Sequence, residues 1–207
     1  MRTERIYMCP NSLNLIGIPS KFHNTAIEDF KTYSNSGLEE VQDYVARYLS
    51  LMRRQYMPLS HLKGICFFGS NGVGKTMLAC IILKEAYRLR YTARRVTFVD
   101  YMSQYTLAWS ARNLDEKEAA EDNLYTNYKA VEFLVLEEVG KEVDSKASAP
   151  ILEDLLRYRE DNGLITIICT NLSPKDLNSK YGASIESLLR GNTVPIQITG
   201  KDKRSAK

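Results

Sequence analysis

The eight residues Gly69, Ser70, Asn71, Gly72, Val73, Gly74, Lys75 and Thr76 restrict the fold of this chain more than any other stretch. They fit the pattern G-x-x-x-x-G-K-[ST], which has a physical reading. The apolar run "GICFFG" (64–69) before it reads as a short buried strand. The run "KTMLACIILKEAYRLR" (75–90) after it reads as a helix with Leu78, Ile81, Ile82 and Ala86 turned inward. Glycines between a strand and a helix let the backbone curl until successive N–H groups face one point. The helix N-terminus adds its positive end. Such a cradle, from Gly69 to Met77, suits the phosphates of ATP. Lys75 reaches the β- and γ-phosphates, and the Thr76 hydroxyl ligates Mg²⁺.

The rest of the chain supplies the sheet that such a loop requires. Further strands are expected at 95–99 ("RVTFV"), 133–136 ("FLVL"), 164–170 ("LITIICT") and 195–199 ("PIQIT"). Helical periodicity runs over 38–57 up to Pro58, over an acidic stretch after residue 113, over 150–163 up to Gly163, and over 184–190. Asp100 is placed to cap a helix bearing Tyr101, Tyr105 and Trp109 on one face. Strands alternating with helices predict an α/β fold, a mostly parallel five-stranded sheet with helices on both faces and no separate lid domain. Residues 1–37 hold most of the turn formers and are expected to be a mostly extended arm, leaving 38–207 as the globular domain.

In such sheets ligands sit at the carboxyl ends of strands. The stretch "VEFLVLEEVG" (131–140) ends an apolar strand in two adjacent carboxylates, Glu137 and Glu138. Paired like charges at a strand tip call for a cation or a task as a base. In nucleoside triphosphatases with a phosphate-binding loop, a neighbouring strand carries an acid toward Mg²⁺ and a second acid orients water. Glu137 fits the metal role and Glu138 the base role. The strand end at Thr170 and Asn171 offers a neutral polar group for the γ-phosphate and the attacking water. Asn171 also reads as a turn residue before "LSPKD".

Composition excludes several classes. No apolar run approaches the ~20 residues of a membrane span, and the first 20 residues carry Glu4 and no apolar core of a signal peptide. Four cysteines and two histidines show no metal-binding spacing, so no zinc site is expected. Cys66 and Cys169 lie in apolar runs as small buried hydrophobes, which suits a reducing cytoplasm. A net charge of +3 neither requires nor excludes nucleic acid.

Four segments taken in order carry a family resemblance: "IPSKFHNTAIEDF" (18–30), "LKGICFFGSNGVGKT" (62–76), "FLVLEEVG" (133–140) and "IICTNLSPKDL" (167–177). Together they resemble replicative helicase loaders of the DnaC/DnaI type, and they are similar also to IstB-type transposition helper ATPases. Both are AAA+ proteins. The resemblance implies ATPase activity with Lys75 and Thr76 in Walker A, Glu137 and Glu138 in Walker B, and Asn171 as the first sensor. It implies three partners: a replicative helicase, single-stranded DNA, and further copies of the chain in a ring or spiral. Three departures stand out. Family members usually carry Asp where this chain has Glu137, which leaves ATP binding better supported than turnover, since Mg²⁺ demands near-octahedral geometry. The leader is short and cysteine-poor where loaders usually carry a helicase-gripping region, a pattern that fits a phage or bacterial protein. The arginine finger is displaced: "SIESLLRG" (184–191) has Leu188 at the expected place, leaving Arg190 as the candidate and Arg204 as a second choice.

Single-stranded DNA has two possible seats. Tyr101, Tyr105 and Trp109, with Arg112 beyond, can stack bases, although the same spacing also makes a core stripe. Arg88, Arg90, Arg94 and Arg95 in "RLRYTARR" form a basic loop, which also reads as a solvated turn. Two other functions fit the same residues: an IstB-like transposition helper, and a nucleotide-gated adaptor that binds ATP with little hydrolysis.

Overall fold

The computed structural model describes residues 10–33, 35–54, 58–111, 113–143, 146–200 and 202–203. Cys9, Arg112 and Arg204 lie outside them. Five strands, β1 (Gly64–Phe68), β2 (Ala93–Thr97), β3 (Phe133–Val139), β4 (Ile165–Thr170) and β5 (Thr193–Gln197), form one sheet in the order β2-β3-β4-β1-β5. Every pairing is parallel, so all five carboxyl ends lie on one edge.

Strand alternation divides the interior into two cores. Ile65 and Phe67 of β1, Phe133 and Val135 of β3, and Ile165, Ile167 and Cys169 of β4 meet α2 (Ser36–Met52) and α3 (Lys75–Arg88) on one face. Cys66, Leu134, Leu136 and Ile168 point the other way. There they meet α4 (Phe98–Ser110), α6 (Ser148–Asp161), α7 (Pro174–Tyr181) and α8 (Ala183–Asn192). Both faces of the sheet are thus covered, as the apolar strands require.

Local chemistry sets the helix ends. Asn35 accepts from the Leu38 N–H at 3.2 Å and starts α2. In α7, Ser173 and Asp176 exchange backbone and side-chain bonds in a capping box, with Pro174 at the first position. The α4 cap differs from expectation. Thr97 accepts from the Asp100 N–H at 3.1 Å, and Asp100 sits inside the first turn. The acidic helix α5 (Leu114–Leu124) runs on into a π turn at Tyr125–Lys129.

The N-terminal segment departs most from its expected extended form. It contains a short helix, α1 (Pro10–Leu15), and two 3-10 turns, Ser20–Phe22 and Ile27–Asp29. The cause is apolar: Leu13, Ile16, Ile18, Ile27 and Phe30 are buried in the α2–α3 core. Turn formers between those residues let the chain fold back on itself. The segment also covers the edge of β2, where the Arg95 N–H donates to Ile16 O at 2.8 Å.

One buried cation ties the far side of the fold. Arg159 is 1% exposed, and burial lowers its pKa to about 9. Its guanidinium donates to Thr166 Oγ1 at 2.8 Å, Ile165 O at 2.7 Å, Val131 O at 2.8 Å and Lys129 O at 3.0 Å. It thereby collects the carbonyls freed where the π turn ends and β3 and β4 begin. Arg159→Leu is expected to lower the unfolding free energy by about 3 kcal/mol, because those carbonyls lose their donors in a dry interior. Urea denaturation of both proteins checks this.

Candidate functional site

A cleft of about 410 Å³ lies over the carboxyl ends of β1, β3 and β4. Asn71, Gly72, Gly74, Lys75, Thr76, Met77, Glu137, Glu138, Cys169 and Asn171 line it, joined by Lys21, Phe22, Arg95, Lys141 and Lys203. The loop 69–74 supplies its floor. Gly69 has φ +142°, and a Cβ there would lie 2.1 Å from Ile198 O. Gly74 caps α3 with φ +110°, and a Cβ would meet the Phe30 ring at 2.8 Å. Only glycine fits either position. Val73 is buried in the core, so it offers the cleft its backbone only.

Lys75 Nζ donates to Gly69 O and Ser70 O, both at 2.6 Å, and to Asn171 Oδ1 at 2.8 Å. Asn171 Nδ2 donates in turn to Asn71 Oδ1 at 3.0 Å. Asn171 therefore bridges β4 to the glycine loop and its lysine. Thr170 serves the scaffold instead. It is buried, donates to Val139 O at 2.6 Å and accepts from the Leu172 N–H at 3.0 Å.

The two acids are separated by a backbone irregularity. Phe133 and Val135 point toward α3, so alternation places Glu137 on the same face. There Thr76 Oγ1 donates to Glu137 Oε2 at 2.9 Å. Glu137 is 2% exposed, and burial pushes its carboxyl above the usual range, against the opposing pull of Arg95 and Thr76. The ladder with β4 then shifts register between Leu136 and Val139. Glu138 is the extra residue, with φ +59°, and its exposed side chain ion-pairs with Lys141 at 2.8 Å. The bulge swings Glu138 out of the sheet and into the mouth of the cleft.

The donors fit Mg²⁺. Thr76 Oγ1 and the Glu137 carboxylate are hard oxygens in contact with each other, few enough to leave coordination positions for phosphate and water. Among the described residues no group of three or more His, Cys, Asp or Glu side chains gathers as a metal cluster.

Other expected site residues lie apart from the cleft. Tyr101 is fully buried, edge-on to Tyr128, and cannot stack a base. Tyr105 and Trp109 stack on each other at 6.1 Å, and Trp109 is 70% exposed. Arg190 stands in solvent on the last turn of α8, 3.6 Å from Glu186, while Leu188 packs in the core. The basic run is not a single loop. Arg88 pairs with Glu85, and β2 begins at Ala93, two residues before the expected start. Arg95, already in the expected strand, faces the cleft, 3.4 Å from Glu137. Alternation with buried Ala93 is the signal that places Arg95 there. Lys141 and Lys203 lack even that, since turns bring them in.

The replicative helicase loader DnaC of Escherichia coli (strain K12) is 22% identical over 214 residues, covering 97% of this chain and 81% of that protein. The crystal structure of DnaI superimposes with a TM-score of 0.69 at 22% identity, covering 91% of this chain and 95% of that one. The replication initiator DnaA bound to AMPPCP and single-stranded DNA superimposes at 0.67 with 18% identity, over 90% of this chain and 52% of that one. No family model matches the chain. The fold is shared with DnaI and with a DNA replication initiation factor, and the resemblance to DnaC/DnaI-type loaders extends over most of the chain.

Glu138 holds a left-handed backbone that costs a non-glycine residue about 1 kcal/mol. Glu138→Gly should therefore stabilise the fold by about that amount while removing the carboxylate from the cleft. Thermal unfolding beside ATP turnover checks both halves.

Proposed function

We propose that this protein is an AAA+ ATPase of DNA replication that binds ATP with Mg²⁺ in the cleft and acts on a replicative helicase at single-stranded DNA. The observation that carries the reading is the meeting of Lys75, Thr76, Glu137, Glu138 and Asn171 at one edge of a parallel sheet. The likeness to DnaC, DnaI and DnaA supports the replication context.

Each residue has a task that follows from its place. The backbone of 69–76 wraps the phosphates. Lys75 exchanges its loop carbonyls for the β- and γ-phosphate oxygens, and Asn171 follows it as a probe of the γ-position. Thr76 and Glu137 would hold Mg²⁺, which would supply positive charge beside the phosphates. Glu138, at the cleft mouth, orients a water and accepts its proton as the water attacks the γ-phosphorus and the bond from that phosphorus to the β,γ-bridging oxygen breaks, releasing ADP and phosphate. Lys141 steadies that carboxylate between turnovers. Arg190, exposed on α8, is the group offered to the γ-phosphate of a neighbouring copy in a ring or spiral. Exposed Trp109, with half-buried Tyr105 stacked against it, offers an aromatic surface to single-stranded bases.

A second reading, ATP binding with little turnover, draws on one observation: Glu137 is held by Arg95 as well as by Thr76. Phosphate release separates the two readings.

Lys75→Ala is expected to abolish binding of a fluorescent ATP analogue. Glu138→Gln should bind it as the wild type does and lose at least about a hundredfold in phosphate release. Helicase capture should require ATP and vanish in Lys75→Ala. Unimpaired ATP binding by Lys75→Ala would refute the assignment of the cleft. A wild type that releases no phosphate above Glu138→Gln favours the second reading.

A further inference from the structure

Glu137 divides its two oxygens between two partners. Oε2 accepts from Thr76 at 2.9 Å, and Oε1 faces Arg95 Nε at 3.4 Å. The arginine is itself fixed from a third direction. Its Nη1 donates to Gly17 O at 3.2 Å, and its backbone N–H to Ile16 O at 2.8 Å. Gly17 has φ +85°, and a Cβ there would lie 2.4 Å from Arg95 O, so the N-terminal segment and β2 are in close contact. The Arg95 side chain is 19% exposed and that of Glu137 3%, which leaves little water to screen the pair.

The pair also accounts for the length of the acid. β2 and β3 run in register, with Thr97 opposite Glu137, so Arg95 reaches forward along the shared face. A carboxylate one methylene shorter on the same backbone would stop about 1.5 Å short and could not serve both Thr76 and Arg95. Glu at this position is matched to a cation on the neighbouring strand.

We propose that Arg95 is a positioning residue and resident counter-charge for Glu137, which makes ATP binding only weakly dependent on Mg²⁺. The inference rests on the ATP-binding reading of the cleft. With Arg95 present, the Glu137–Arg95 pair has no net charge. The triphosphate then meets no bare carboxylate when metal is absent, and an entering Mg²⁺ must share Glu137 with a guanidinium. With Arg95 removed, and at a pH high enough to keep Glu137 ionised, its carboxylate stands uncompensated in a dry site. It repels the triphosphate until metal arrives, and Mg²⁺ then gains the whole carboxylate.

The test is the affinity of a fluorescent ATP analogue in EDTA and in saturating Mg²⁺, for the wild type, Arg95→Leu, Arg95→Lys and Arg95→Leu/Glu137→Gln. Circular dichroism melts confirm that each is folded. The wild type should gain no more than about fivefold from Mg²⁺. Arg95→Leu should lose about tenfold in EDTA and gain at least about fiftyfold from Mg²⁺. Arg95→Lys should keep the wild-type ratio, because the charge remains. The double variant should recover metal-free affinity and gain little from Mg²⁺, which loss of packing alone would not produce. If Arg95→Leu does not fold, Arg95→Lys and the double variant carry the test. A metal ratio for Arg95→Leu within twofold of the wild type, or a double variant as weak in EDTA as Arg95→Leu, would overturn the proposal. A wild type that binds no ATP, or a Lys75→Ala that still does, refutes the ATP-binding reading itself, whereas normal binding with an unmoved metal ratio refutes only the role of Arg95.

Discussion

The hydrogen bond from Thr76 to Glu137 joins the first turn of α3 to the tip of β3, and the site depends on it. It can form only because β1, which feeds α3, and β3 run parallel with their carboxyl ends on one edge. It also requires odd-numbered residues of β3 to face α3. The alternation that buries Phe133 and Val135 against that helix delivers Glu137 to Thr76 two residues later. The packing of the core and the placing of the acid are one constraint.

The neighbouring acid breaks that constraint. Had β3 continued regularly, Glu138 would point into the second core beside Leu134 and Leu136, an untenable place for a charge. The register shift and the positive φ at Glu138 eject it toward the cleft, and Val139 resumes the pattern. Thr170 holds the resumed strand through its bond to Val139 O. Two adjacent carboxylates thus obtain different surroundings, one dry and held by Thr76 and Arg95, the other exposed and paired with Lys141. That separation suits the division of labour proposed for them.

Much of this was legible in the sequence because it rests on short-range pattern. The glycine loop, the five strands and the acid pair are each written within a few residues. The bulge was not legible, since nothing in "FLVLEEVG" marks which residue leaves the ladder. Arg95 was hidden because it stands where the expected strand and the basic run overlap, and only the earlier start of β2, at Ala93, shows which face it shares. Tyr101 shows the ambiguity of a helical aromatic stripe: its inner member packs against Tyr128 while Trp109, two turns on, stands in solvent. The N-terminal segment misled for a related reason. Its turn formers are conspicuous, while the apolar residues that fold it down are spaced without a period.

A crystal of the protein with a non-hydrolysable ATP analogue and Mn²⁺, examined by anomalous scattering, tests the central claim most directly. The account predicts the triphosphate within the loop 69–76 and one manganese peak beside Thr76 Oγ1, with Glu137 as the nearer carboxylate and Glu138 free of the metal. A peak coordinated by Glu138, or a nucleotide seated outside that loop, would contradict it.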